Sequence, residues 1–253
     1  MRQTKAYWVG RMNLVRKTWA ALRPDMAPAG RRVTAGGFHA YFKRAVAPGL
    51  RWEVSLFTMS GIFVDKEWGL AAHISMYDRD LSDRVSHTFG RDVTRTPFNS
   101  FAVQSANELL RGKAISSGMP EFFFETPDSA VKRQLSAYSR QVDRIWRFAG
   151  GQDREAFRKL AIWSMKNAEA VGTSLTGPYM ICAAWAYGEP ALAKRRLAEY
   201  EAQWKRTIRD QPAYRSLPNF WPNLLDELDR LREMMGMPPK NPVTLGMHDL
   251  ARS

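Results

Sequence analysis

The sequence predicts an α+β fold. An N-terminal helix packs on a small antiparallel β-sheet of roughly three to four strands, and an α-helical bundle of about five helices follows. Three observations predict this. Residues 38–77 alternate apolar and polar side chains with a period of two. Residues 4–22 carry an apolar stripe at helical spacing. From residue 126 onward the pattern is helical throughout, broken by Gly and Pro.

The opening helix is marked by Trp8, Met12, Val15, Trp19 and Leu22, spaced by four and three. Arg11, Arg16, Lys17 and Arg23 lie largely off that stripe, and Pro24 ends the helix. This helix is expected to cover the apolar face of the sheet. The Gly- and Pro-rich stretch 23–37 reads as a loop.

The sheet is read from parity. In 38–46 the even positions are Phe38, Ala40, Phe42, Arg44 and Val46; in 50–58 they are Leu50, Trp52, Val54, Leu56 and Thr58; in 70–77 they are Leu70, Ala72, Ile74 and Met76. The odd positions hold His39, Tyr41, Lys43, Arg51, Glu53, Ser55, Phe57, His73, Ser75 and Tyr77. A strand sends successive side chains to opposite faces, so one face is apolar and the other polar. Keeping the even sets together across Ala47-Pro48-Gly49 requires a loop of odd length, preferably three residues. A two-residue Pro48-Gly49 turn would set Phe42 opposite Ser55 and mix the faces. A short extended piece is expected at 62–64 and a fourth strand at 84–89, where Val85, His87 and Phe89 alternate with Ser86 and Thr88.

Beyond the sheet, 99–112 reads as a helix capped by Asn99 or Ser100 and stopped by Gly112. Thr126-Pro127-Asp128 opens a helix running to Phe148. Further helices are expected over 153–171, 178–187, 190–204 and 223–235, with a loop at 212–222. The resulting organisation is an α+β module over 1–125, a helical module over 126–236 and an irregular tail over 237–253. The helix pair around Gly188 resembles one helix-turn-helix unit of a tetratricopeptide-type repeat. No second copy recurs at a fixed period, so no solenoid is implied.

Composition restricts function. The chain has 253 residues, 45% hydrophobic, with nine Trp, enough to bury a core. One cysteine, Cys182, excludes an internal disulfide and reads as a buried small hydrophobe. The first residues have no continuous apolar stretch of signal-peptide type, and no apolar run reaches the length of a membrane span. A cytoplasmic protein with no membrane partner is the expectation, and Arg- and Ala-rich usage points to a GC-rich bacterial source. Net charge is +13, and residues 1–60 carry eleven Lys/Arg against two Asp/Glu. Such a field suits an acidic protein partner or nucleic acid.

No catalytic, cofactor or metal motif is present. Asp78-Arg79-Asp80-Leu81-Ser82-Asp83 fails as a calcium loop, with Asp83 where Gly is needed and Phe89 where Glu is needed. His39, His73, His87 and His248 form no metal pair. The candidates for acid–base chemistry are His39, His73, Tyr77 and Glu53, together on the polar sheet face. The candidates for binding are Tyr41, Lys43, Arg44, Arg51, Phe57, Arg31 and Arg32, aromatics interleaved with cations. No cofactor is expected. Absent motifs, many aromatics and the positive field predict a non-enzymatic bacterial interaction protein that binds an acidic protein, of the immunity or accessory kind found in toxin and conflict systems. The alternatives are a nucleic-acid-associated protein using the basic N-terminal third, and an enzyme built on the polar sheet face.

Overall fold

The computed structural model describes residues 4–34, 36–60, 68–90, 92–115, 122–123, 128–172, 177–211 and 220–239. The fold is mixed α+β. Its chain clusters into two compact units, Met1–Asp78 with Asn99–Ser174, and Arg79–Phe98 with Leu175–Ser253. The composition shift at 125 therefore falls inside the first unit.

The first unit begins with α1 (Lys5–Leu22), whose N-terminus is capped by Thr4 Oγ1 accepting from Tyr7 N–H at 3.2 Å. Trp8, Met12, Val15 and Trp19 are buried, whereas Leu22, the last residue of the expected stripe, is exposed. The sheet follows the order β1 (Ala27–Thr34), β2 (Gly37–Ala47), β3 (Leu50–Ser60), β4 (Trp68–Asp78) and β5 (Asn99–Ala102), all antiparallel, and β6 (Phe122–Phe123) also pairs with β4. Then come α3 (Val103–Leu110), α4 (Asp128–Ala149) and α5 (Arg154–Lys166), while α2 (Arg79–Phe89) belongs to the second unit.

The parity expected from sequence holds. Phe38, Ala40, Phe42, Trp52, Val54, Leu56, Leu70, Ala72, Ile74 and Met76 are all buried. The helices seal this face with rings. Trp8 meets Phe38 and Trp68, Trp19 meets Phe42, and Trp146 of α4 packs on Trp52 with centroids 4.9 Å apart. Tyr138 of α4 donates its hydroxyl to Leu70 O at 2.5 Å, and Asn99 donates to Ser164 of α5 at 2.6 Å. Burying this many large rings is the main source of stability for the unit, at about 25 cal/mol per Å² of apolar surface.

The turn resolves differently from expectation. Ala47 pairs with Leu50, so Pro48-Gly49 is a two-residue turn with Gly49 at φ 77°. A register shift between Ala45 and Ala47 absorbs one residue and sets Phe42 opposite Val54. A bulge thus restores the parity that a two-residue turn alone would break. At the other end of β2, Gly37 has φ 151°, and a Cβ there would lie 1.9 Å from Thr58 Oγ1. The close approach lets Phe38 N–H donate to that hydroxyl at 3.0 Å.

Three further expectations are corrected. Part of the stretch read as a loop is β1, an edge strand exposed along most of its length, so it has no buried face to impose alternation. The fourth strand expected at 84–89 is instead the end of α2. There Leu81, Ser82 and Val85 are buried, and the spacing of four overrides a short period-two run. The helix expected from Asn99 begins at Val103; 99–102 is β5, and Ala102, not Asn99 or Ser100, occupies the cap position without a side-chain bond. Gly112 does follow the helix end, in the left-handed region at φ 62°. The piece expected at 62–64, the Thr126-Pro127 helix start, most of the 212–222 loop and the tail from 240 with His248 lie outside the described residues.

The second unit is helical: α2, α6 (Pro178–Ala186), α7 (Pro190–Asp210) and α8 (Phe220–Met234). Leu81, Val85, Ile181, Leu192, Leu197, Leu228 and Leu231 fill it, and Phe98 packs edge-on to Tyr179 and Tyr187. Cys182 is buried, as expected.

Candidate functional site: the polar face of the sheet

Strand register gathers the odd-numbered residues on one face. Arg32 lies opposite His39, and His39 opposite Phe57. Tyr41 lies opposite Ser55, which in turn faces His73. Lys43 faces Glu53, Glu53 faces Ser75, and Arg51 faces Tyr77. The α1 and α4 contacts described above all fall on the other face.

The face is organised by ring contacts. His39 and Phe57 stack at 5.3 Å and 9°, Tyr41 adjoins His39 at 6.1 Å and 21°, and His73 meets Phe57 edge to face at 5.0 Å and 82°. His39 thus stacks face to face with Phe57 and Tyr41, whereas His73 and Phe57 meet at right angles. At the next row the Arg51 guanidinium lies 4.2 Å above the Tyr77 ring, and the Tyr77 hydroxyl donates to Glu53 Oε1 at 3.5 Å. Ser75 and Ser100 hydroxyls share a 3.0 Å hydrogen bond.

Partial burial shifts the His, Glu and Tyr groups of this face toward their uncharged forms. Burial lowers the pKa of His39, helped by the Arg32 charge, and burial alone lowers that of His73, so both imidazoles favour the uncharged form. Burial raises the Glu53 carboxyl, against the opposing pull of Arg51, the Tyr77 hydroxyl and Lys43. Burial also raises the Tyr41 hydroxyl, with the Glu53 charge adding and Arg32 opposing. The Tyr77 hydroxyl is pushed up to about 12, first by burial and then by the Glu53 charge. Perturbed titratable groups clustered in one place mark a candidate site.

Of the residues singled out from sequence, Arg32, His39, Tyr41, Lys43, Arg51, Glu53, Phe57, His73 and Tyr77 share this face. Arg44 and Arg31 do not. Arg44 sits opposite Trp52, on the covered face, and bonds Asp25. Arg31 sits opposite Ala40 on that same side and is exposed. Asp25 is also gripped by Arg23, bidentate at 2.8 and 3.0 Å, and Arg23 reaches Asp143 as well. Sequence reasoning missed Ser100, which joins the face through β5; the signal was Ser100 alternating with Phe101, hidden inside an expected helix.

Among the described residues no helix is long and apolar enough to cross a membrane, and no group of three His, Cys, Asp or Glu could hold a metal ion. No protein family, curated protein or solved structure matches this chain.

Proposed function

We propose that this is a non-enzymatic binding protein that presents the polar face of its sheet to an acidic protein partner. The observation that carries the reading is the way the rings stand. His39 stacks with both Phe57 and Tyr41, and Tyr77 gives one face to Arg51. These contacts reduce the ring face left for a partner, which also meets edges, hydroxyls and imidazole nitrogens flanked by Arg32 and Lys43. Base stacking needs free ring faces, so this arrangement favours a protein surface over a nucleic acid. Acid–base catalysis gains little support: among the described residues, neither His39 nor His73 hydrogen-bonds Glu53, whose partner is Tyr77. Tyrosine, arginine and half-buried rings with a polar rim are the composition of binding hot spots. An immunity or accessory protein of a toxin system is the specific form this reading takes.

The test is affinity capture from a lysate of the source organism with the full chain and its Phe57→Ala variant. One acidic protein retained in stoichiometric amount by the parent and released from the variant is expected. Absence of a stoichiometric partner overturns the reading. So does retention of nucleic acid instead, recognised by steep loss as salt rises from about 50 to 200 mM.

A further inference from the structure

The two lateral edges of the sheet are treated differently. On one side, Ala102 of β5 donates its N–H to Val171 O at 3.0 Å, so that edge is engaged. On the other side β1 is the outermost strand, and among the described residues no strand pairs with its free edge. Alternate residues of an edge strand turn N–H and C=O away from the sheet, which makes a template for one more strand.

Natural sheets guard such edges, and β1 is guarded along only part of its length. Pro28 has no N–H to offer, and the register breaks between Pro28 and Gly30. From residue 30 to residue 34 the pairing with β2 is regular. Over that stretch only Val33 is even half-buried; Gly30, Arg31, Arg32 and Thr34 are exposed.

Charge selects the occupant. A second copy of this chain adding across a two-fold axis at the centre of this stretch would bring Arg31 or Arg32 against its own counterpart, and opposed like charges destabilise a strand pair. An acidic strand instead sets carboxylates beside Arg32 and turns its charge into attraction. Side-chain direction then sets the pattern. Arg32 lies with His39 on the polar face, whereas Val33, opposite Phe38, lies on the apolar one.

We propose that the edge of β1 over residues 30–34 receives an extended acidic segment of the partner protein by strand addition, with carboxylates beside Arg32 and alternate apolar side chains beside Val33. This rests on the reading that the partner is an acidic protein, and it adds the mode of recognition.

The probe is a labelled peptide of about eight residues, alternating Glu and Val with both ends blocked, titrated by fluorescence anisotropy against the full chain. Two companions carry N-methyl groups on every Val amide or on every Glu amide. Strand addition uses one of these two sets of N–H groups. One companion is therefore expected to lose at least about tenfold in affinity, and the other to stay within about threefold. Equal affinities for the two companions would mean attraction by charge alone and would overturn the proposal, as would no binding of the unmodified peptide. Arg32→Glu should weaken the peptide by a similar factor. For the captured partner, loss with Phe57→Ala but full retention with an Arg31→Glu/Arg32→Glu pair would overturn strand addition and leave the polar-face reading standing. Retention with both variants would overturn the two together.

Discussion

On the face that α1 and α4 cover, Trp52, Val54, Leu56, Ile74 and Met76 have no exposed surface. Two-residue alternation puts His39, Tyr41, Glu53, Phe57 and Tyr77 on the opposite face, and each keeps part of its side chain in water. The two faces have nearly equal shares of aromatic rings but use them differently. Covered rings meet helices from elsewhere in the chain and hold the fold together. Among the described residues, uncovered rings meet only neighbours within the sheet. A similar share of rings thus does not mean an equal contribution to stability, because among the described residues helices seal the rings of one side only.

The largest expected effect tests this directly. Trp52→Ala removes a sealed ring packed on Trp146 and should destabilise by about 4 kcal/mol in urea denaturation. Phe57→Ala, on the uncovered face, should cost about 1 kcal/mol, because only cross-strand ring contacts are lost. Similar values for the two would erase the distinction between the faces.

Next in size is Arg23→Ala. This residue is 3% exposed and its side chain binds Asp25 and Asp143, tying the end of α1 to α4. Removing a buried charged donor from two carboxylates that keep some contact with water should cost about 2 kcal/mol. A change below about 0.5 kcal/mol would show that the cluster is a surface feature.

The faces should also separate in acid. For His73 the folded pKa lies below the ordinary 6.5, so its contribution to stability is complete above that value and is lost as pH falls toward the folded pKa. Asp25 behaves alike but lower on the scale. Burial opposes its ionisation, but the Arg23 and Arg44 hydrogen bonds and charges prevail and hold its pKa below 3.8, so its contribution survives until more strongly acid conditions. His73→Gln should therefore flatten the stability profile below about pH 6.5 without altering the steeper fall that begins below about pH 4. An unchanged slope in the upper window would contradict the burial of His73.

The smallest effect concerns Glu53, whose folded pKa is raised above 4.5. Its contribution is present below that value and declines as pH rises through the folded pKa, so the ionised carboxylate opposes folding. Glu53→Gln should leave stability at pH 7 unchanged or slightly higher by thermal unfolding. A clear loss would mean that the bond from Tyr77 outweighs desolvation.

The covered and uncovered faces were both legible in the sequence because strands β2 to β4 are polar on one side only, which forces strict alternation. The α1 stripe and the helices α4 to α8 were legible for the same reason at a period of 3.6. What was illegible has physical causes. β1 is exposed almost throughout, so nothing selects its side chains by parity, and its Gly30 and Pro28 read as loop. α2 buries little beyond Leu81, Ser82 and Val85, too narrow a stripe to outcompete a chance run of Val85, His87 and Phe89. β5 has four residues, fewer than a period needs to declare itself. The site inherited these gaps. Arg32 and Ser100 reach the polar face only through the two strands that the sequence concealed, and Arg44, which parity already puts on the other side, was chosen by charge alone, which does not reveal its bond to Asp25.

Hydroxyl-radical footprinting of the full chain under native conditions tests the opposition of the two faces most directly, since it reads side-chain exposure residue by residue. Tyr41, Phe57 and Tyr77 are expected to be oxidised readily, while Phe38, Phe42 and Trp52 remain unmodified until the protein unfolds. Protection of Tyr41, Phe57 and Tyr77 equal to that of Trp52 would contradict an open polar face and the binding role built on it.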